Sequence, residues 1–229
     1  MESQTQTNRR PRSANGVKLG QVSRPTQQTA RRPIASPTAN IDTENERDFL
    51  GGLVQTAGRS LFVGFVATQV LDVVSHLLYV GLDKQIIADE ERARGNKQAF
   101  EVAVQKIAAI FGRELTESEM KFWGWKFHRS FGMAGALQFM QLRKAIPAVG
   151  YGYGIPYGIA FWALADEFGI WAAGLVPGPQ KFSWQSHARG LVGHMVWGMA
   201  AELTARSYDM IDKYEGNFPL SKNQNRIQS

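Results

Sequence analysis

The fold is decided by residues 128–206, which read HRSFGMAGALQFMQLRKAIPAVGYGYGIPYGIAFWALADEFGIWAAGLVPGPQKFSWQSHARGLVGHMVWGMAAELTAR. Together with the few residues before it, this stretch holds three apolar segments rich in small residues, separated by proline-containing links. A helix needs about 20 apolar residues to cross about 30 Å of hydrocarbon, and each segment is of that length. The stretch therefore predicts three neighbouring transmembrane helices, at residues 122–142, 149–175 and 186–206.

A fourth apolar segment precedes these three at residues 60–82, which read SLFVGFVATQVLDVVSHLLYVGL. The segment is also long enough to span a bilayer. Residues 83–121, which follow it, mix acidic and basic side chains almost evenly and predict an extramembrane helical insert with a solvated charged face. Within the insert, residues 116–119 (TESE) predict a capping box at the start of the next helix.

The two ends of the chain differ from the apolar body. Residues 1–48 are rich in Gln, Thr, Ser, Pro and Arg, and this composition predicts a disordered basic arm. Residues 207–229 form a polar C-terminal tail. The predicted fold is therefore an all-α integral membrane bundle of four transmembrane helices within residues 49–206. The basic arm and the turn at Arg143 and Lys144 place both termini in the cytoplasm by the positive-inside rule.

Composition narrows the classes of function. The chain has 229 residues, a formal net charge of +6 and no cysteine, so disulfides, thiolate metal sites and thiol catalysis are excluded. The basic arm lacks the interleaved aromatic residues of a nucleic-acid interface, so the expected partner is the lipid bilayer and no nucleic acid. Small-residue helix faces would also suit a homo-oligomer. The alternative architecture is a soluble helical protein whose apolar helices form one large core.

Ionisable residues lie where apolar side chains are expected in all four predicted spans. With the orientation given above, the four histidines and two adjacent carboxylates fall in the outer half of the membrane. Charged residues inside a bilayer are costly and often mark ion or proton pathways. We interpret these residues as a candidate intramembrane polar cluster: Asp72, His76, His128, Asp166, Glu167, His187, His194 and Glu202.

Several functions could use such a cluster. Imidazole titrates near neutral pH, so histidines and carboxylates can relay protons. A metal site is the alternative, with His128, His187, His194 and Glu167 as candidate ligands. Two histidines on facing helices could also hold haem. Without any of these roles, the polar groups are hydrogen-bonded contacts between helices.

The leading hypothesis from the residues is a non-enzymatic membrane protein that handles protons or other ions and needs no cofactor. No serine lies in a nucleophile-elbow context, so a hydrolase is not expected. The alternative hypothesis is a metal- or haem-dependent membrane enzyme built on the same cluster.

The three segments also resemble a known family. A histidine before a glycine-rich helix, then W-x-x-A-D-E, S-H-A and H-x-V-x-G, is similar to the pattern of the YagU-like family of small bacterial inner-membrane proteins. The resemblance implies a multi-span protein of the bacterial inner membrane with a suggested link to acid tolerance, and it implies no established activity. It covers roughly residues 58–206 and rests on these positions: His128, Gly132, Pro147, Gly154, Gly158, Trp162, Asp166, Glu167, Gly174, Leu175, Ser186, His187, His194, Gly198, Glu202 and Arg206.

Overall fold

A computed structural model of the chain describes residues 37–217, with side chains described for residues 45–215. The chain divides into one unit of residues 1–43 and another of residues 44–229. All contacts given below lie in the second unit. Every regular element among the described residues is helical, which confirms the all-α prediction.

Seven α-helices account for most of the described chain. They are α1 Pro37–Val80, α2 Lys84–Ala93, α3 Ala99–Ile110, α4 Glu117–Ala145, α5 Ile155–Phe161, α6 Ile170–Ala172 and α7 Trp184–Asn217. A 3-10 segment at Pro147–Gly154 precedes α5, a π-helix at Trp162–Gly169 joins α5 to α6, and a 3-10 turn at Pro179–Lys181 precedes α7.

The helix ends follow from local chemistry. The predicted capping box of α4 is confirmed, because Thr116 accepts from the Glu119 amide while the Glu119 carboxylate accepts from the Thr116 amide at 2.9 Å. The helix stops at Ala145 because Pro147 disfavours helical backbone in the residue before it. The helix α7 is longer than the predicted span and continues to Asn217.

The first helix begins inside the segment predicted to be a disordered arm. Its first residue is Pro37, whose fixed φ suits the first turn of a helix. Residues 37–48 are therefore helical rather than part of the arm. The rest of the predicted arm, residues 1–36, and the last part of the predicted tail, residues 218–229, lie outside the described residues.

The third predicted span, residues 149–175, is not one continuous α-helix. Gly152, Tyr153 and Gly154 have φ values of +56°, +59° and +80°, in the left-handed region, so the chain turns sharply before α5. The π-helix then interrupts the regular helix from Trp162 onward. The cause of the sharp turn lies in the repeated glycines, two of which adopt backbone angles that side chains with a Cβ disfavour.

Close packing at small residues holds α1, α4, α5 and α7 together. A Cβ on Gly132 of α4 would lie 2.1 Å from the Thr68 hydroxyl oxygen of α1, and a Cβ on Gly158 would lie 2.1 Å from the His194 carbonyl oxygen. Gly132 and Gly158 therefore permit a close approach of the helix backbones. These contacts surround one core cluster made of Val63, Ala67, Ala136, Phe139, Met140, Tyr157, Trp197, Ala201 and Ala205.

Among the described residues, one helix is long and apolar enough to cross a membrane, at Asn45–Val80 within α1. The other predicted spans do not meet the same requirement. The polar positions His128 and Arg129 interrupt α4, Arg189 and Glu202 interrupt α7, and the third segment is divided into short pieces. Length and apolar composition alone thus support one span rather than four.

Candidate functional site

The π-helix places two adjacent carboxylates of the predicted cluster, Asp166 and Glu167, beside α7. Its wider turn is visible at Gly169, where an added Cβ would lie 2.7 Å from the carbonyl oxygen of Leu164, five residues earlier. An alanine could not fit there without a shift of the backbone. Single π-turns inside α-helices occur frequently at functional sites, and this one carries the W-x-x-A-D-E motif.

Asp72 of α1 joins two side chains of α4. The Nε2 of His128 lies 2.9 Å from Asp72 Oδ1, and Arg129 Nη2 donates to Asp72 Oδ2 at 3.2 Å. The Arg129 guanidinium also stacks on Trp125, 4.4 Å from the ring centroid. An ionised Asp72 that accepts from Arg129 requires His128 to carry its proton on Nε2. The neutral ring then keeps a lone pair on Nδ1, an atom that is buried and has no partner among the described residues.

Glu167 and His187 form a second histidine–carboxylate pair with different hydrogen-bond partners. The Nδ1 of His187 lies 2.7 Å from Glu167 Oε1, and its Nε2 lies 3.2 Å from the carbonyl oxygen of Pro179. A carbonyl only accepts, so Nε2 must donate. The contact at Nδ1 is an ion pair by distance, which a second proton on the imidazole would make favourable. The pair can therefore hold one proton more than a neutral histidine beside an ionised carboxylate.

Asp166 lies between these two pairs. It makes no hydrogen bond or ion pair with any other described residue, and it lines two cavities. The larger cavity, of about 200 Å³, also contains Glu167 and His187 in its wall. The smaller, of about 40 Å³, is lined by His128 and His194 as well. Asp166 is thus the ionisable side chain that lines both cavities, with His187 in the wall of one and His128 and His194 in the wall of the other.

His194 is fixed in a defined tautomer by its own helix. Its Nδ1 lies 2.9 Å from the Gly190 carbonyl oxygen one turn earlier, so Nδ1 carries the proton and donates it. In the neutral ring the Nε2 atom keeps its lone pair, and it has no hydrogen-bond partner among the residues that the structure describes. His194 therefore offers an acceptor, not a donor, at the small cavity.

An ion network outside the predicted cluster lines the larger cavity. Glu90 of α2 is only 4% exposed. It accepts from both Nη atoms of Arg189, at 2.9 and 2.5 Å, from the Ser186 hydroxyl at 2.7 Å and from Arg94. Burial raises the pKa of Glu90, but the hydrogen bonds from Arg189 and Ser186 outweigh it and lower that pKa below its ordinary value of 4.5.

Two members of the predicted cluster lie elsewhere. Glu202, 1% exposed, accepts from Nε of Arg143 and from Nε of Arg206, each at 2.7 Å, so it belongs to a separate arginine network. Arg143 also donates to Asp209 at 2.7 Å. His76 is exposed and makes no hydrogen bond or ion pair within the described chain. The structure brings together the other six predicted residues: Asp72, His128, Asp166, Glu167, His187 and His194.

The candidate metal ligands are not arranged as one coordination sphere. His128 pairs with Asp72, His187 with Glu167, and His194 with a backbone carbonyl. No group of three or more His, Asp or Glu side chains among the described residues is placed to hold a metal ion. The geometry therefore gives the metal hypothesis no support beyond the residue types themselves.

Sequence reasoning missed the arginines and Glu90. Arg129 follows His128, and Arg189 lies between His187 and His194, so both arginines fall inside apolar segments. That position could have indicated that they belong to the site. An arginine in such a segment needs a buried carboxylate partner. The partner of Arg189 is Glu90, 99 positions earlier in the charged insert, where no local pattern separates it from its solvated neighbours.

Comparison with known proteins gives one match. Residues 104–203, from α3 into α7, match the model of a family described as a protein of unknown function (DUF1440). Neither the curated proteins nor the solved structures include a match to this chain. Over these residues the chain is similar to a family whose description names no activity.

Proposed function

We propose that the chain is a multi-span helical protein of the bacterial inner membrane that carries protons through its layer of histidine–carboxylate pairs. In this proposal α1, α4, the segment from α5 to α6, and α7 cross the bilayer, and both termini are cytoplasmic. The YagU-like resemblance supports the same location. It also suits a role in acid stress, because imidazole groups change charge between neutral and mildly acidic pH.

The distribution of exposed apolar side chains supports a lipid environment. On α1 only 22% of the residues in the most apolar window are buried, whereas the core helix of a soluble protein would be mostly buried. The outward face includes Phe65, Val73 and Leu77, which are 47%, 60% and 63% exposed. Contiguous exposed apolar surface of this kind is unusual in a soluble monomer. Exposed tryptophans on α4 and α7, Trp123, Trp125 and Trp184, would lie in an interfacial belt.

The proposed topology can be tested directly because the chain contains no cysteine. Single cysteines replace four exposed lysines, in the variants Lys97→Cys, Lys181→Cys, Lys144→Cys and Lys213→Cys. In intact cells with a permeabilised outer membrane, an impermeant maleimide is expected to label the first two and to reach the last two only after the inner membrane is disrupted. Labelling of Lys144→Cys without disruption, or recovery of the protein in the soluble fraction, would contradict four spans.

The proton function depends on one observation: Asp166 lines the cavity that contains His187 and also the cavity that contains His128 and His194. On one side the Glu167–His187 pair can hold an extra proton. On the other side His128 and His194, when neutral, each keep one lone pair. A carboxylate between a pair that carries an extra proton and two imidazoles with free lone pairs can pass a proton from the pair to the imidazoles. Proton relays in membranes use chains of such groups.

Reconstituted vesicles test this function. Purified full-length protein is inserted into liposomes that contain a pH-sensitive dye, and an acid pulse is applied outside with potassium and valinomycin present to prevent a membrane potential. The vesicles with protein are expected to acidify faster than empty vesicles. Equal rates in the two preparations would reject proton transport and leave the pairs as contacts between helices.

A further inference from the structure

An open groove of about 740 Å³ runs between α4 and the segment from α5 to the π-helix. Sites for organic ligands have volumes of about 300–1,000 Å³ and walls that are mostly apolar with a few polar groups. The groove between α4 and α5 has both properties, because none of its lining side chains is charged and the polar ones are Gln138 and Tyr157.

The groove opens on the outer surface of the bundle. It runs from Ile146, just after the end of α4, to Leu164 in the π-helix, and these two side chains are 50% and 71% exposed. Ala134 on the α4 wall and Ala160 on the α5 wall are exposed as well. In the proposed function both helices cross the bilayer, so the groove faces lipid and its occupant is apolar along its length.

Gln138 gives the occupant one polar requirement. The Tyr157 hydroxyl lies 2.8 Å from the Gly135 carbonyl oxygen and 3.1 Å from the side-chain oxygen of Gln138. The amide nitrogen of Gln138 carries two protons. Whichever way the amide is turned, at least one of its N–H groups has no partner among the described residues. An unpaired N–H in hydrocarbon is costly, so the occupant should bring an acceptor oxygen to this point.

The contacts of α4 with α1 give the depth of Gln138 in the bilayer. The two helices are antiparallel, and a Cβ on Gly64 of α1 would lie 2.8 Å from the Cβ of Ala136 on α4. Gln138, two residues further along α4, therefore lies within about one helical turn, about 5 Å, of the level of Ser60. Ser60 is the inner end of the first span, at the edge of the hydrocarbon core. The ester carbonyls of the inner leaflet lie at that edge.

We propose that the groove binds one acyl chain of an inner-leaflet phospholipid, whose ester carbonyl accepts a hydrogen bond from Gln138 while the chain runs toward Leu164. The headgroup then lies outside the groove, in agreement with walls that contain no charged side chain. The proposal rests on the proposed function, since the groove faces lipid only if α4 and α5 cross the bilayer.

The bound chain would also contact the wall of the proton path. Phe131 and Phe161 are stacked with their ring centroids 5.7 Å apart, and both rings line the groove as well as the small cavity that contains Asp166. An acyl chain packed against these two rings would help to keep the polar cavity separate from the bilayer.

Native mass spectrometry of the full-length protein tests the proposal. The protein is delipidated in a mild detergent and titrated with dipalmitoyl phosphatidylglycerol, and it is expected to bind one molecule in a saturable way. The matched probe is the diether lipid with the same headgroup and two hexadecyl chains, which lacks the ester carbonyls. It is expected to bind about fivefold more weakly, the usual worth of one net hydrogen bond. In Gln138→Leu the two lipids are expected to bind equally.

A second variant tests the groove itself. Ala160→Phe places a phenyl group in the groove and is expected to weaken phospholipid binding at least about tenfold. Ile159→Phe is the control, because Ile159 is exposed on the same helix but does not line the groove. That variant is expected to bind like the wild type. Palmitic acid is titrated in parallel as the other source of an acyl chain with a carbonyl group.

Four results would overturn the proposal: no saturable binding, equal affinity of the wild type for the ester and ether lipids, unchanged affinity in Ala160→Phe, or tighter binding of palmitic acid than of phospholipid. A lipid-free dimer that Ala160→Phe dissociates would assign the groove to a second copy of the chain instead. A protein that binds the phospholipid but shows no proton flux keeps the groove site and loses proton transport. A protein that carries protons without saturable lipid binding loses the groove site alone.

Discussion

Replacing Gly158 with alanine is expected to lower the free energy of unfolding by about 3 kcal/mol, the upper end of the usual cost of overpacking. The added Cβ would lie 2.1 Å from the carbonyl oxygen of His194 and 3.2 Å from the Cα of Met195. Both are backbone atoms of α7, so no side chain can rotate away to make room. The helices α5 and α7 would have to separate, and the packing of Tyr157 on Trp197 would loosen with them.

Reversible unfolding in mixed micelles titrated with dodecyl sulfate measures this loss. Gly58→Ala is the matched control, because Gly58 lies within α1 and has no atom within 4 Å of the added Cβ. That variant is expected to be stabilised by up to about 1 kcal/mol through helix propensity. If the two glycine variants had the same stability, α5 and α7 would not be in the close contact described above.

Replacing Glu90 with alanine is expected to cost about 3–5 kcal/mol of stability. The carboxylate is buried and is the shared partner of Arg94 and Arg189, so its removal leaves two partly buried cations without this counter-charge. The Ser186 hydroxyl loses its acceptor as well. The neighbouring variant Asp89→Ala removes the same charge from the exposed face of α2, where its ion pair with Arg92 is solvated. That control is expected to lose no more than about 1 kcal/mol.

The contribution of Glu90 is also expected to depend on pH. Because its folded pKa is lowered, the carboxylate contributes its full stability above its ordinary value of 4.5, and this contribution is lost as the pH falls through the folded pKa. The stability difference between the wild type and Glu90→Gln should therefore be constant near pH 7 and shrink in acid. An Asp89→Ala loss as large as that of Glu90→Ala, or a difference that grows in acid, would contradict the buried network.

The sequence predicted the helices and much of the site for physical reasons that operate locally. Apolar runs located α1, α4 and α7, and the Thr116–Glu119 capping box fixed the start of α4. The placement of the imidazoles followed from the order of the helices, because antiparallel neighbours bring late residues of one helix beside early residues of the next. Six of the eight predicted cluster residues are consequently close together.

The parts that local patterns could not predict depend on distant partners or on subtle backbone changes. Asp72 and His76 were both predicted to belong to the polar cluster, but only Asp72 meets partners on α4, and His76 is exposed. Glu90 resembles its solvated neighbours until Arg189 is placed beside it. No residue pattern distinguishes the π-helix from an α-helix in the sequence. It is seen only in the structure, in the contact between Gly169 and the Leu164 carbonyl.

The most direct measurement of the central claim compares proton flux in vesicles for His187→Gln and His76→Gln. Both variants replace an imidazole by an amide that does not titrate, but only His187 is paired with a carboxylate and can share an extra proton with it. The account predicts that His187→Gln lowers the rate of acidification at least about tenfold, as the loss of a proton-transfer group does elsewhere. It also predicts that His76→Gln transports at the wild-type rate. Equal rates in the two variants, or no flux through the wild-type protein, would contradict a proton path through the histidine–carboxylate layer.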